Sequence, residues 1–170
     1  MTQDVLLKVR DLTVAFSTDD GLVKAVNGVS FDLHAKETLA VVGESGSGKS
    51  VSAMAVMRLL PTYAKITGSI EFDGTDLLSL SNSAMRKLQG DAIAMVFQDP
   101  MTAMNPVFKV GDQLVEAIRI HNKMASKSAA RSRAVDLLDL VGIPQARERV
   151  DNYPHEFSGG MRQRAMIAMA

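Results

Sequence analysis

Apolar and polar positions alternate only patchily over residues 5 to 16, VLLKVRDLTVAF, but the many β-branched residues there predict a strand. DDG at 19 to 21 is a turn signal, and beyond it Val29, Phe31 and Leu33 alternate cleanly along a second strand. TLAVVG at 38 to 43 is a continuous apolar run ending in glycine, the pattern of a strand buried on both faces. Next, VSAMAVMRLL sets Ala53, Val56, Met57 and Leu60 on one face at helical spacing, with Pro61 to stop the helix. Further strands are expected around SIEFDG and at AIAMVF, residues 92 to 97. From Val110 the period turns helical. Val110, Leu114 and Ile118, then Ala134, Leu137, Leu138 and Val141, mark two amphipathic helices joined by the polar KMASKSAARSR. No internal repeat or low-complexity tract interrupts the series.

This order describes an α/β fold: antiparallel-looking strands, a strand–loop–helix, two more strands, then a helical block from about residue 110 to 170. Two or three parallel strands make a thin core sheet where a doubly wound fold has about five or six. The parallel sheet is therefore expected to be incomplete, with something missing beyond its C-terminal end. Composition changes little: 170 residues, 46% hydrophobic and 22% charged, suit one domain with a sizeable core. Lys and Arg balance Asp and Glu at 19 each, so no bulk basic charge argues for nucleic acid. The lack of cysteine excludes disulfides, thiolate metal sites and cysteine nucleophiles. MTQDVLLKVRD does not read as a signal peptide, and no apolar run approaches the ~20 residues that cross a bilayer. A soluble, cytoplasmic chain that can dock on a membrane partner is the expectation.

Candidate chemistry begins at GESGSGKS, Gly43 to Ser50, which fits the spacing G-x-x-x-x-G-K-[ST] between a buried strand and a helix. Gly43, Gly46 and Gly48 free the backbone so that successive N–H groups, through Glu44, Ser45 and Ser47, can converge on one anion. The helix starting near Lys49 adds its positive end. Lys49 can reach β- and γ-phosphates, and the Ser50 hydroxyl is placed to ligate Mg²⁺. The bland alternative is a flexible Gly/Ser turn, and the loop alone does not choose among kinases, GTPases, helicases and transport ATPases.

Two weaker signals follow. MVFQDP places Gln98 just past a strand, at the edge where ligands of α/β sheets bind, although a solvated loop glutamine is the ordinary reading. In SGGMRQ, Ser158 is a good N-cap, and Gly159 and Gly160 leave first-turn N–H groups open to approach. That makes a second anion site, against the alternative of an ordinary capped helix.

Together and in this order, the three motifs resemble the ATP-binding subunits of ABC transporters. GESGSGKS resembles the family's Walker A loop, Gln98 its Q-loop, and FSGGM a variant of its LSGGQ signature, with Phe157 for leucine and Met161 for glutamine. VFQDPMTAMNP at 96 to 106, YPHEFSGGMRQR at 153 to 164 and GESGSGKSVSAMAVMRLLP narrow the resemblance to the peptide/nickel importer branch, the dipeptide and oligopeptide permease ATPases. The resemblance implies a P-loop NTPase of the ABC ATPase type, with an N-terminal antiparallel β subdomain and a helical subdomain. It also implies a head-to-tail pair of ATPase subunits, identical or not, with two nucleotides between them. Lys49 and Ser50 of one subunit would hold ATP and Mg²⁺, while Ser158 and Gly160 of the other would cap the γ-phosphate. Gln98 would touch the metal or the attacking water, near the docking helix of the transmembrane permease subunits. An extracellular substrate-binding protein is implied indirectly. Phe16, ending its strand, best matches the aromatic that stacks on adenine, although the STDDG insertion disturbs that alignment and a core phenylalanine is the alternative.

By the same resemblance, residues 1–100 form the β subdomain and P-loop core, 101–157 the helical subdomain, and 158–170 the start of the signature helix. The family's Walker B aspartate, catalytic glutamate, D-loop and switch histidine follow the signature, and no apolar run of these 170 residues ends in Asp-Glu. VDLLDLV at 135 to 141 is the nearest and reads as amphipathic helix. His34 and His121 precede the signature, and His155 has no metal-ligand spacing around it. The chain is therefore expected to be the N-terminal part of an ABC ATPase domain, able to bind nucleotide but slow to hydrolyse it. Three readings stand side by side: an importer ATPase for peptides or another substrate such as nickel, a non-catalytic nucleotide-binding module, and a soluble DNA-repair-type ABC ATPase. The last carries long coiled coils between Q-loop and signature, whereas about sixty residues without sustained heptads separate Gln98 from Ser158 here.

Overall fold

The computed structural model describes residues 4–18, 21–99 and 103–170. It divides into two compact units, Met1–Gln89 and Gly90–Ala170.

The first unit is built on a four-stranded antiparallel sheet. Strands β1 (Val5–Thr18), β2 (Gly21–His34), β3 (Ala64–Phe72) and β4 (Thr75–Asp76) lie in the order β2-β1-β3-β4. The patchy alternation of β1 has a structural cause. The ladder to β3 shifts register between Arg10 and Thr13, the ladder to β2 between Val9 and Leu12 and again before Val14, and Asp11 sits there at φ +47°. The irregularity moves the buried phase from Val9 to Leu12 and Val14, a step of three and then two. Across from it Gly68, at φ +100°, has no room for a side chain: a Cβ would come within 2.5 Å of the Arg10 carbonyl oxygen. The turn read at 19 to 21 falls largely outside the described residues.

Helix α1 (Lys49–Val56) is shorter than its apolar pattern suggests. It stops well before Pro61, because Arg58 adopts φ +50° and closes the helix: Leu59 N–H bonds Met54 O and Arg58 N–H bonds Ala55 O. Its buried face is Ala55 and Val56, continued by Met57, whereas Ala53 is exposed. Helix α2 (Asn82–Leu88), which the apolar pattern did not reveal, starts at an N-cap Ser81 whose hydroxyl accepts from Ala84 N–H.

Two expectations fail. Residues 38 to 43 and 92 to 97, read as buried strands, lie in no strand or helix apart from a single bridge residue at Ile93. Val42 is 89% exposed, and Leu39, Val41, Val96 and Phe97 are exposed as well. A parallel strand is held by ladder bonds on its edges and by cover on both faces. Among the described residues no strand pairs with either segment, so their β propensity goes unused.

The second unit is helical: α3 (Val110–His121), α4 (Lys127–Leu140), the short α5 (Ala146–Arg149), a 3-10 turn at Pro154–Glu156, and α6 (Gly159–Met169). The polar stretch read as a linker is largely the first half of α4, which opens on an N-cap Ser126 bonded to Ala129 N–H. The core gathers Val110, Leu114, Ala134, Leu138, Ile143, Val150, Phe157 and Ala165. The expected faces of α3 and α4 therefore hold, with Ile118, Leu137 and Val141 packed at the margin.

Candidate functional site

The phosphate loop is fixed by a close approach. Gly48, at φ +88°, lies so near β2 that a Cβ would overlap the Ala25 carbonyl oxygen. This seats the start of α1 on β2 within the first unit. Gly46 also has positive φ, at +82°, which turns the loop back on itself. A Cβ on Gly43 would stand 2.6 Å from Ser47 Oγ, so a side chain there would fill the loop.

Into this loop folds Lys49. Its Nζ donates to the carbonyl oxygens of Gly43 and Glu44, at 2.7 Å each, and to Ser47 Oγ at 3.3 Å. All three partners are neutral oxygens of the loop, so the ammonium keeps its full charge for an incoming anion. No side chain caps α1, whose N-cap is Gly48. Its first N–H groups thus face outward with the positive end of the helix, worth roughly half an elementary charge. Ser50 is exposed in that first turn, its hydroxyl without a partner among the described residues. Open N–H groups, the Lys49 ammonium and a free hydroxyl thus lie within one loop and the helix start that follows it. They fit a nucleoside polyphosphate, and the hydroxyl fits its divalent ion.

Phe16 lies in the same unit, on β1 between Val23 of β2 and Ala64 of β3. It is half-buried and meets Tyr63 edge-on, with centroids 6.1 Å apart and an angle of 61°. Tyr63 is 61% exposed and had no signal in the sequence, since it precedes β3 outside any motif.

Gln98 and the signature belong to the second unit. Gln98 is exposed in a bend. Ser158 is the N-cap of α6: its Oγ accepts from Met161 N–H at 3.3 Å, which leaves the hydroxyl proton to donate outward. A Cβ on Gly159 or Gly160 would meet nothing within 4 Å, so neither glycine is required by packing. Their bareness keeps the helix start open. Phe157 is 2% exposed, so the family's leucine position is filled here by a larger core residue. His155 stacks on Tyr153, with centroids 5.7 Å apart and 12° between planes. Among the described residues no cluster of His, Cys, Asp or Glu could hold a metal ion.

The ABC transporter family profile matches residues 26–170. The chain belongs to the ABC transporter family. Two curated relatives are named for peptide transport. A dipeptide transport ATP-binding protein, DppD of Bacillus subtilis, is 57% identical over 167 residues, covering 97% of this chain and 50% of that one. An oligopeptide transport ATP-binding protein, OppD of Escherichia coli, is 54% identical over 167 residues, covering 98% and 49%. The chain thus spans about half the length of these two relatives. Among solved structures, the dimeric bacterial ABC transporter cassette MJ0796 superposes with a TM-score of 0.82 at 24% identity, covering 96% of this chain and 68% of that one. That likeness establishes the fold, a partial P-loop ABC ATPase.

Proposed function

We propose that the chain is the nucleotide-binding part of an ATPase subunit that powers import of di- or oligopeptides through a membrane permease. The observation that carries this reading is the loop from Gly43 to Ser50, with its seated Lys49 and uncapped helix start. The names of the relatives supply the peptide substrate. Lys49 and the N–H groups of the loop bind and orient the phosphates of ATP, and Ser50 offers a ligand to Mg²⁺. The ion supplies charge neutralisation during phosphoryl transfer. Phe16, with Tyr63 beside it, offers an aromatic edge for the adenine. By the family resemblance, Gln98 would serve the ion or the attacking water of a nucleotide site. Ser158, Gly159 and Gly160 donate to the γ-phosphate held by a second ATPase subunit, identical or similar.

The domain division that goes with this reading is 1–100 for the β subdomain and P-loop core, 101–157 for the helical subdomain, and 158–170 for the signature helix. The surface of α3 supports a permease partner. Val107 and Phe108 just before the helix, Ile120 on it and Met124 just after it are exposed, and a groove of about 580 Å³ is lined in part by Phe108, Ile120 and Glu116. Helices of 12 and 14 residues in place of long coiled coils favour this partner over nucleic acid. No helix among the described residues is long and apolar enough to cross a membrane. This suits a peripheral subunit at the cytoplasmic face, served indirectly by an extracellular substrate-binding protein.

The test separates the two anion sites. Lys49→Ala is expected to abolish binding of a fluorescent ATP analogue to the monomer. Ser158→Ala should spare that binding and weaken only the ATP-driven dimer of the complete subunit. Equal loss of monomer binding in both variants would sink this division of labour.

A further inference from the structure

The chain that enters the signature helix hangs from the first turn of α3. Val110 N–H donates to Asn152 O at 3.0 Å, and Gly111 N–H to Val150 O at 2.9 Å. Helix α3 has no side-chain cap, so residues 150–152 satisfy the donors that its start leaves open. Gly111 is buried and makes the approach possible: a Cβ there would overlap both the Val150 carbonyl oxygen and Val150 Cγ2. The requirement is one of space, since the residue is helical. Lys109 and Arg131 add ion pairs to Asp151 at the same place, at 3.3 and 2.5 Å. Five residues then lead from Asn152 to Ser158, through the 3-10 turn and the buried Phe157.

The same turn of α3 also grips the loop at 105–108 that precedes it. Gln113 Oε1 accepts from Asn105 N–H at 2.9 Å, while its Nε2 donates to Asn105 O at 2.9 Å and to Phe108 O at 3.0 Å. One half-buried side chain thereby uses three bonds to fix a single loop.

We infer that the first turn of α3 is a positioning junction, in which Gly111 and Gln113 join the loop at 105–108 to the segment that enters the signature helix. Neither residue belongs to the nucleotide-binding set. Displacing the loop at Asn105 shifts the helix start, and with it the carbonyls of Val150 and Asn152 that place Ser158. The inference rests on the function proposed above and names what holds its signature serine in place. Charge–dipole contacts such as Ser158 to a γ-phosphate depend steeply on placement, so a small shift of the anchor is enough to matter.

Two measurements test it, with Gln113→Ala and Asp151→Asn as variants that leave the apolar core intact. In hydrogen–deuterium exchange of the 170-residue chain, Gln113→Ala should speed exchange at 103–109 and also at 159–162, by roughly tenfold, while mid-α4 amides stay at parental rates. In the complete ATPase subunit with a slowly hydrolysed ATP analogue, each variant should weaken dimer formation about tenfold. The double variant should weaken it no further, because breaking one relay twice is not additive. Monomer affinity for the analogue stays unchanged throughout. Gly111→Ala should reproduce the dimer defect; where it fails to fold, the other pair decides. Parental exchange at 159–162 in Gln113→Ala, or additive losses in the cycle, overturn the junction. A parent subunit that neither binds the analogue nor dimerises overturns the proposed function instead, and the exchange result still judges the junction.

Discussion

At the scale of single residues, left-handed and charged positions carry more than their sequence shows. Arg58 closes α1 in a conformation that costs an ordinary residue about 1–2 kcal/mol. Its guanidinium offsets this by donating to Leu77 O, Leu80 O and Asn82 Oδ1. Three part-exposed bonds at about 0.5–1.5 kcal/mol each outweigh the strain. Arg58→Gly is therefore expected to destabilise the chain by about 1–2 kcal/mol in urea melts, even though glycine suits the backbone better. Asp151 is a second case. The bond from Lys109, then that from Arg131, holds its carboxyl below the usual carboxylate range. A depressed acid contributes stability that is present above its unfolded pKa of about 3.9 and is lost as pH falls through the lower folded value. Half of the side chain is exposed, so the effect is small. Thermal melts should show Asp151→Asn slightly less stable than the parent at pH 7, with the difference shrinking as pH falls from about 5 through the usual carboxylate range. A constant difference across that range would mean that the ion pairs are not its source.

At the scale of elements, caps and bulges decide where the periodic segments begin and break. Ser81, Ser126 and Ser158 each cap a helix through an N–H three residues on. Only Ser158 stood out in the sequence, because two glycines follow it. The signature helix depends on Phe157, which lies in the core of the helical unit. Phe157→Ala should cost about 3–5 kcal/mol, as other buried aromatics do. Phe157→Leu, which restores the family's usual residue, should cost less than about 1.5 kcal/mol. Differential scanning calorimetry of both variants checks this, and a large loss with leucine would mean that the ring's shape is itself required.

For the whole molecule, the separate cores of the two units predict separate transitions. Tyr63 reports the first unit and α3, α4 and α6 the second, so tyrosine fluorescence of a Tyr153→Phe variant and helical circular dichroism follow different parts. Their urea midpoints are expected to differ, with the first unit the less stable, since residues 38 to 43 leave Leu39, Val41 and Val42 exposed. Coincident curves of ordinary stability would count against this.

The phosphate loop, the faces of α3 and α4 and the Ser158 cap were legible because each is written within a few consecutive residues. Spacing of glycines, a helical period and a hydroxyl before two glycines all act locally. The early end of α1, the irregularity in β1 and the fate of TLAVVG and AIAMVF were not legible. Each depends on groups far along the chain: Leu77 and Leu80 for Arg58, Gly68 for Arg10, a neighbouring strand for the apolar runs. The sequence by itself determined which segments could bind phosphate and which could bury a face. Only the tertiary structure decided which of them found a partner, because a hydrogen-bond ladder and a packed face each need a second element to complete them.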